Sequence, residues 1–272
     1  MWIIRICYTQ SGVSHIINSL EEELGFTLLL RNRGGVRLTD DGQRVLPAIR
    51  NIVNSSEQLQ QIISSIHGLN SGVVRIGTFS SVSVHWLPGM IKEFQNEFPQ
   101  IEIRLWAGDY HDVEKWLAEG AVDIGFITLP SDLECNKIPL KEDRLLAVLP
   151  QGHHLAQLNS VPLSAAAAEP FISLLKNSDQ DLRRALQHTG ITPNVKYYTK
   201  DDYAIIAMVE QGLGISIMPE LLLQERMEKL CVRELDPPAR RTIALGFGDA
   251  AAKSPATAKF IDHICDWVKR NS

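Results

Sequence analysis

The chain has 272 residues, 44% hydrophobic and 22% charged, a globular balance that excludes disordered, fibrous and collagen-like proteins. A net charge of −5 excludes a uniformly basic nucleic-acid binder but leaves room for a local basic face. The length suggests about two domains, and no apolar run approaches the roughly 18 residues that a membrane span needs. Cys7, Cys135, Cys231 and Cys265 show no CxxC spacing, so neither a zinc knuckle nor a disulfide framework is expected. The opening Met1–Cys7 is too short for a signal-peptide core and lacks a small-residue cleavage site, so reduced thiols in the cytoplasm are the expectation.

From Thr9 to Leu24, the apolar residues Val13, Ile16, Ile17, Leu20 and Leu24 recur at helical spacing, with Thr9 as N-cap and Gly25 as stop. Gln10, Ser11, Ser14, His15 and Asn18 share the opposite face, which is uncharged and able both to donate and to accept hydrogen bonds. Taken alone, that face also suits an ordinary solvated helix. Next come two short apolar pieces joined at Gly34-Gly35, a predicted hairpin flanked by Arg31, Arg33 and Arg37. Thr39 then caps a helix from about Asp40 to His67. Its positions Val45, Ile49, Ile52, Ser56, Leu59, Ile63 and Ile66 are spaced alternately by four and three, the repeat of a coiled-coil seam. Pro47 fixes or kinks its early turns.

Gly68 to Gly72 reads as a linker. Beyond it, strands and helices alternate: strand 73–77, helix 86–98, strand 101–106, helix 112–119, strand 122–127 and strand 145–149. A second round follows: strand 171–174, helix 180–188, strand 195–198, helix 203–211 and strand 215–217. Strand 242–247 and helix 256–269 close the chain. Alternation of this kind predicts an α/β fold with parallel-type sheets covered by helices, in two similar rounds that suggest two lobes around a cleft.

These residues resemble one known family, the LysR-type transcriptional regulators, over nearly the whole length. Thr9-Gln10-Ser11-Gly12-Val13-Ser14-His15 through Gly25 is similar to that family's recognition helix. Leu28 to Arg31, then Arg37-Leu38-Thr39-Asp40-Asp41-Gly42, are similar to its wing and the start of its linker helix. Val74-Arg75-Ile76-Gly77, Leu87-Pro88, Phe98-Pro99, Gly120 with Asp123, and Gly212-Leu213-Gly214-Ile215 with Pro219 match its effector domain. The resemblance implies a partial winged helix-turn-helix over 1–39, a dimerising linker helix over 40–71 and a periplasmic-binding-protein-like effector domain over 72–272. Lobe I would comprise about 72–145 and 241–272, and lobe II about 146–240. Only eight residues precede Thr9 where the family carries two helices, so the resemblance describes an N-terminally shortened member.

The resemblance also implies site residues. Thr9, Gln10, Ser11, Ser14, His15 and Asn18 would meet DNA bases or phosphates, and Gln10 and Asn18 have the paired donor and acceptor that read adenine. Arg31, Arg33 and Arg37 would add salt-dependent contacts to the backbone. Ser80, Ser81, Ser83, Asp109, Thr128 and Asp201 fall after strands or before helices, where a cleft ligand would meet them, although Ser and Asp fill such places as ordinary caps too. Partners would be promoter DNA, a small-molecule effector and further copies of the chain, as a dimer through the linker helix and a tetramer through effector domains. No membrane partner and no cofactor are expected.

His153-His154 and His111 have no carboxylate or cysteine at metal-ligand spacing, so no metal site is expected. GxSxG, Walker and HExxH patterns are absent, which argues against an enzyme. The alternative reading is a ligand-binding-only protein, or a remnant that no longer binds DNA.

Overall fold

A computed structural model describes residues 9–32, 34–67, 71–175, 180–187, 189–224 and 229–271. The chain divides into two compact units, Met1–Asn54 and Ser55–Ser272. In the first, α1 (Gln10–Leu24) begins where Thr9 Oγ1 accepts from the Gly12 N–H at 3.2 Å, and it ends at Gly25, whose φ of 78° is the left-handed cap. Strands β1 (Leu29–Asn32) and β2 (Gly35–Leu38) form the expected hairpin, paired antiparallel with Asn32 opposite Gly35. Helix α2 (Asp40–Ile66) follows, capped by Thr39 Oγ1 at 2.8 Å from the Gly42 N–H, and it runs on through Pro47. Its seam side chains Ile52, Leu59, Ile63 and Ile66 are 70%, 58%, 46% and 76% exposed.

The second unit opens with β3 (Gly72–Thr78), followed by α3 (Ser80–His85) and α4 (Leu87–Glu97). The predicted helix from Trp86 is α4, and Ser80–Ser83, expected in the loop before it, form the first turn of the additional helix α3. Then come β4 (Ile101–Ala107), α5 (Tyr110–Ala118), β5 (Ile124–Leu129) and the fifteen-residue β6 (Asn136–Pro150). After a 3-10 turn (His154–Gln157) lie β7 (Ser160–Pro162), α6 (Leu163–Ala168), β8 (Phe171–Leu174), α7 (Gln180–Leu186), β9 (Val195–Thr199) and α8 (Asp202–Glu210). The chain continues with β10 (Ser216–Pro219), α9 (Glu220–Leu223), β11 (Leu230–Phe247), α10 (Asp249–Ala252) and α11 (Pro255–Asn271).

The sheet corrects the expectation of parallel pairing. One seven-stranded sheet has the order β10-β6-β11-β5-β3-β4, with β7 on β11. Only β3 with its neighbours β4 and β5, and β7 with β11, pair in parallel; β5, β6, β10 and β11 meet antiparallel. The cause lies in β6 and β11, which are far longer than the apolar runs read from the sequence, because their charged halves also join the ladder. Strands β8 and β9 form a separate parallel pair.

Two lobes share this sheet. The first packs β3, β5 and the end of β11 against α4 and α11, with Ile76, Phe94, Ile124, Leu245, Phe260 and Ile264 fully buried. The second packs the C-terminal half of β6 between α6 and α8, with Leu145, Ala147 and Leu149 facing one way and Leu146 and Val148 the other. Gly214 admits no side chain, since a Cβ there would lie 2.4 Å from the Pro170 carbonyl oxygen. The last turns of α2 belong to this unit as well: Glu57 pairs with Arg75 of β3, and Gln61 accepts from Ser254 Oγ at 2.6 Å. Among the described residues, Cys135, Cys231 and Cys265 are free thiols.

Phe94 is fully buried with its ring 4.7 Å from that of Phe260. Phe94→Ala is expected to lower stability by about 3–5 kcal/mol in denaturant unfolding, and a loss under about 1 kcal/mol would contradict this packing.

Candidate functional site

Between the two lobes of residues 55–272 lies a cavity of about 470 Å³. Phe79, Ser80, Ser81 and Ser83 reach it from α3, Asp109 and Tyr110 from the start of α5, and Lys200, Asp201 and Asp202 from the start of α8. Arg241 of β11 forms its floor. The Arg241 side chain is 2% exposed and stands opposite Asp143 in the β6–β11 register. Its Nη2 lies 2.6 Å from Asp143 Oδ2 and donates to Ser81 Oγ at 2.8 Å. Its Nη1 lies 3.4 Å from Asp181 Oδ2 and donates to the Tyr110 hydroxyl. The guanidinium also sits 5.3 Å from the Phe79 ring centre, and that ring meets Tyr110 edge-on. Tyr110 in turn donates to Asp181 Oδ2 at 2.5 Å.

This network is electrostatically tight. Burial opposes the charge of Arg241, yet Tyr110, Asp181 and Asp143 around it raise its pKa overall. Burial pushes the Tyr110 hydroxyl well above its ordinary range, so it stays a donor. Burial also raises the Asp143 carboxyl, against the pull of Arg241. Asp202 is raised by burial too, opposed by its hydrogen bond with Ser80.

Of the six residues read as effector contacts, Ser80, Ser81, Ser83, Asp109 and Asp201 line the cavity together. Thr128 does not. Its Oγ1 accepts from Arg184 Nη1 at 3.0 Å, part of a staple in which Arg184 also donates to the carbonyls of Leu129 and Pro130. Asp109 is first of all a cap, joined with Asp112 in a capping box. Arg241, Asp143, Asp181 and Tyr110 were missed by the sequence reading. Alternation could have found Arg241, which shares one strand face with Ile243, Leu245 and Phe247, had the strand been read further back than Thr242.

In the first unit, Gln10, Ser11, His15 and Asn18 are exposed along α1. Ser14 accepts from Arg31 Nη1 at 3.3 Å, tying the helix to β1, and Thr9 is spent on capping and on Ser11 Oγ at 2.8 Å. Arg37 is exposed, while Arg33 lies outside the described residues. Val13, Ile16, Leu20 and Leu24 are 37–44% exposed, so no residue of α1 is buried.

The expectation for the histidines needs a correction. Glu169, distant in sequence, comes within 3.6 Å of His153 Nε2 and 3.3 Å of His154 Nε2, a His–His–Glu group of ligand-like spacing. His153 Nδ1 accepts from the Leu155 N–H at 3.3 Å, which leaves its proton on Nε2, facing Glu169. At 3.6 Å that contact is longer than a hydrogen bond.

Residues 67–269 match the family model of the LysR substrate binding domain, and residues 4–43 that of the bacterial regulatory helix-turn-helix protein, lysR family. The chain belongs to the LysR family. YvbU, an uncharacterized HTH-type transcriptional regulator of Bacillus subtilis, is 31% identical over 257 residues, 93% of this chain and 88% of YvbU. Full-length OxyR from Pseudomonas aeruginosa superposes with a TM-score of 0.76 at 19% identity, covering 96% of this chain and 86% of OxyR. The effector binding domain of QuiR in complex with shikimate superposes with a TM-score of 0.66 at 21% identity, covering 74% of this chain and 98% of that domain. This LysR member is therefore a DNA-binding transcriptional regulator with an effector-binding domain, and its relatives are transcriptional regulators rather than enzymes.

Two substitutions test the network. Arg241→Met leaves two buried carboxylates uncompensated and is expected to cost about 3–5 kcal/mol in denaturant unfolding; a neutral effect would refute the ion network. Asp202 holds its proton more tightly folded than unfolded, so the stability this lends is present below the ordinary carboxyl range and lost as pH rises through the raised value. Thermal melts should therefore find Asp202→Asn at least as stable as the parent at pH 7, with the difference shrinking towards pH 4.

Proposed function

We propose that this regulator reads promoter DNA with the exposed face of α1 and answers to a small molecule held in the cavity of residues 55–272. The observation that carries the reading is a helix-turn-helix match and a substrate-binding match in one chain, the second containing a cavity bounded by helix starts. Gln10 and Asn18, exposed on α1, are the amides for base edges, with Ser11 and His15 beside them. Arg31, Arg33 and Arg37 serve the phosphates, and Thr9 and Ser14 support the reading helix by capping it and holding Arg31.

Ser80, Ser81, Ser83, Asp109 and Asp201 contact the effector, while Thr128 acts at one remove through Arg184. The effector changes the balance of lobe arrangements by the difference in its affinity for them. The exposed apolar stripe of α2 supports a dimer through that helix, and effector-domain contacts would complete a tetramer. No described helix is long and apolar enough to cross a membrane, and our reading of a protein that works on DNA supports a cytoplasmic setting. We read it as no enzyme: Ser81 accepts from Arg241, a group that cannot take its proton.

Fluorescence anisotropy on DNA flanking its own gene, titrated with salt, tests the DNA assignment. Arg31→Ala and Arg37→Ala should each reduce the slope of log affinity against log salt by about one. Gln10→Ala and Asn18→Ala should cost about 1–3 kcal/mol on the specific site and little on random DNA. Equal losses on both DNAs would reassign the α1 face to backbone contact.

A further inference from the structure

The cavity walls carry an excess of negative charge. Asp109, Asp112, Asp181, Asp201 and Asp202 line it, against Lys200 and Arg241. Several groups that would ordinarily receive an anion, two of the three helix starts and the guanidinium, are already occupied by the chain's own carboxylates, while α3 starts without a side-chain cap. At the start of α5, Asp109 Oδ1 accepts from the Asp112 N–H at 2.9 Å, and Asp112 Oδ2 from the Asp109 N–H at 3.2 Å. At the start of α8, Asp201 Oδ1 accepts from the Tyr203 N–H at 2.9 Å. Arg241 is shared between Asp143 and Asp181.

A second observation points the same way. Asp181 is 8% exposed, and its Oδ2 is taken by Tyr110 and Arg241. Its Oδ1 is buried and has no hydrogen-bond partner among the described residues. A buried carboxylate oxygen without a donor is a costly arrangement that a donor arriving with a ligand relieves. The opposite wall is apolar, with Leu174, Ile217, Met218 and Leu222 available to methylene groups.

We infer that the effector of this regulator is a cationic aliphatic amine, its ammonium held by Asp181 with Asp201 and Asp202 near by and its chain lying on the apolar wall. This rests on the reading of the cavity as the effector site. An anionic effector would meet a surface with three more acids than bases, and the starts of α5 and α8 already capped by Asp109 and Asp201. The cavity volume, about 470 Å³, suits a small molecule of this kind.

Calorimetric titration of the full chain with 1,4-diaminobutane, 1,4-butanediol and succinate compares a cation, a neutral molecule and an anion on one four-carbon skeleton. The diamine should bind at least about tenfold more tightly than succinate or the diol, and Asp181→Asn or the exposed Asp201→Asn should each weaken it by about tenfold. Tighter binding of succinate or of the diol, or no diamine binding at millimolar concentration, overturns the inference. Val84→Trp, at an exposed position on the cavity rim, separates this from failure of the cavity reading. If succinate or the diol binds and Val84→Trp abolishes it, the cavity stands and only the charge assignment falls. If Val84→Trp changes no titration, both fall.

Discussion

Arg241 and Asp143 face each other across neighbouring strands where the two cores of the effector domain meet. A buried guanidinium needs several acceptors, and its fork of donors fixes where they stand. Asp143, Asp181, Tyr110 and Ser81 all take their places around it, and they come from β6, α7, α5 and α3. A slip of one residue between β6 and β11 would turn Arg241 to the other face and disperse the group. The pair therefore fixes the register of the two strands. It also brings residues far apart in sequence to a single cavity.

The parts of the fold legible in the sequence were those set by short-range rules. Thr9 and Thr39 as caps, Gly25 as stop, the glycine hairpin and the long helix α2 all follow from short-range patterns. What escaped was long-range. The polar halves of β6 and β11 join the sheet only because each supplies the other's hydrogen-bond partners, which no single segment reveals, and so the mixed sheet was read as parallel. The site was half legible for the same reason. Ser80, Ser81, Asp109 and Asp201 sit at element boundaries that local rules mark. Arg241, Asp143 and Asp181 sit inside elements, where charge is usually read as surface. Thr128 was placed by its position after a strand, but its side chain turns to Arg184.

Charge is divided between the parts of the chain in a way that suits a regulator. Residues 1–70 balance six bases against six acids, every base is an arginine, and five fall within residues 31–50. Residues 71–272 carry 21 bases and 26 acids, the whole net charge of −5. Beside a polyanion, a domain with an excess of acids is repelled and an arginine-flanked hairpin is drawn in, so attraction would fall on the helix-turn-helix part of the chain.

The ladder between β6 and β11 breaks register between Glu234 and Ala239, opposite Leu146 and Leu145. That break lies two residues from Asp143 and Arg241, and Arg144 bridges it by pairing with both Glu234 and Glu220. A continuous antiparallel ribbon resists bending because each step would cost hydrogen bonds, whereas an interrupted one flexes where the rungs are missing. The lobes are thus joined through two long strands whose ladder shifts register at Glu234/Ala239 and again at Ile243/Ala244, and Arg241 of the cavity floor stands between the two shifts. A ligand at Arg241 would touch a strand that belongs to both cores, since Leu235 lies in one and Ile243 and Leu245 in the other, so its contacts would bear on both lobes at once.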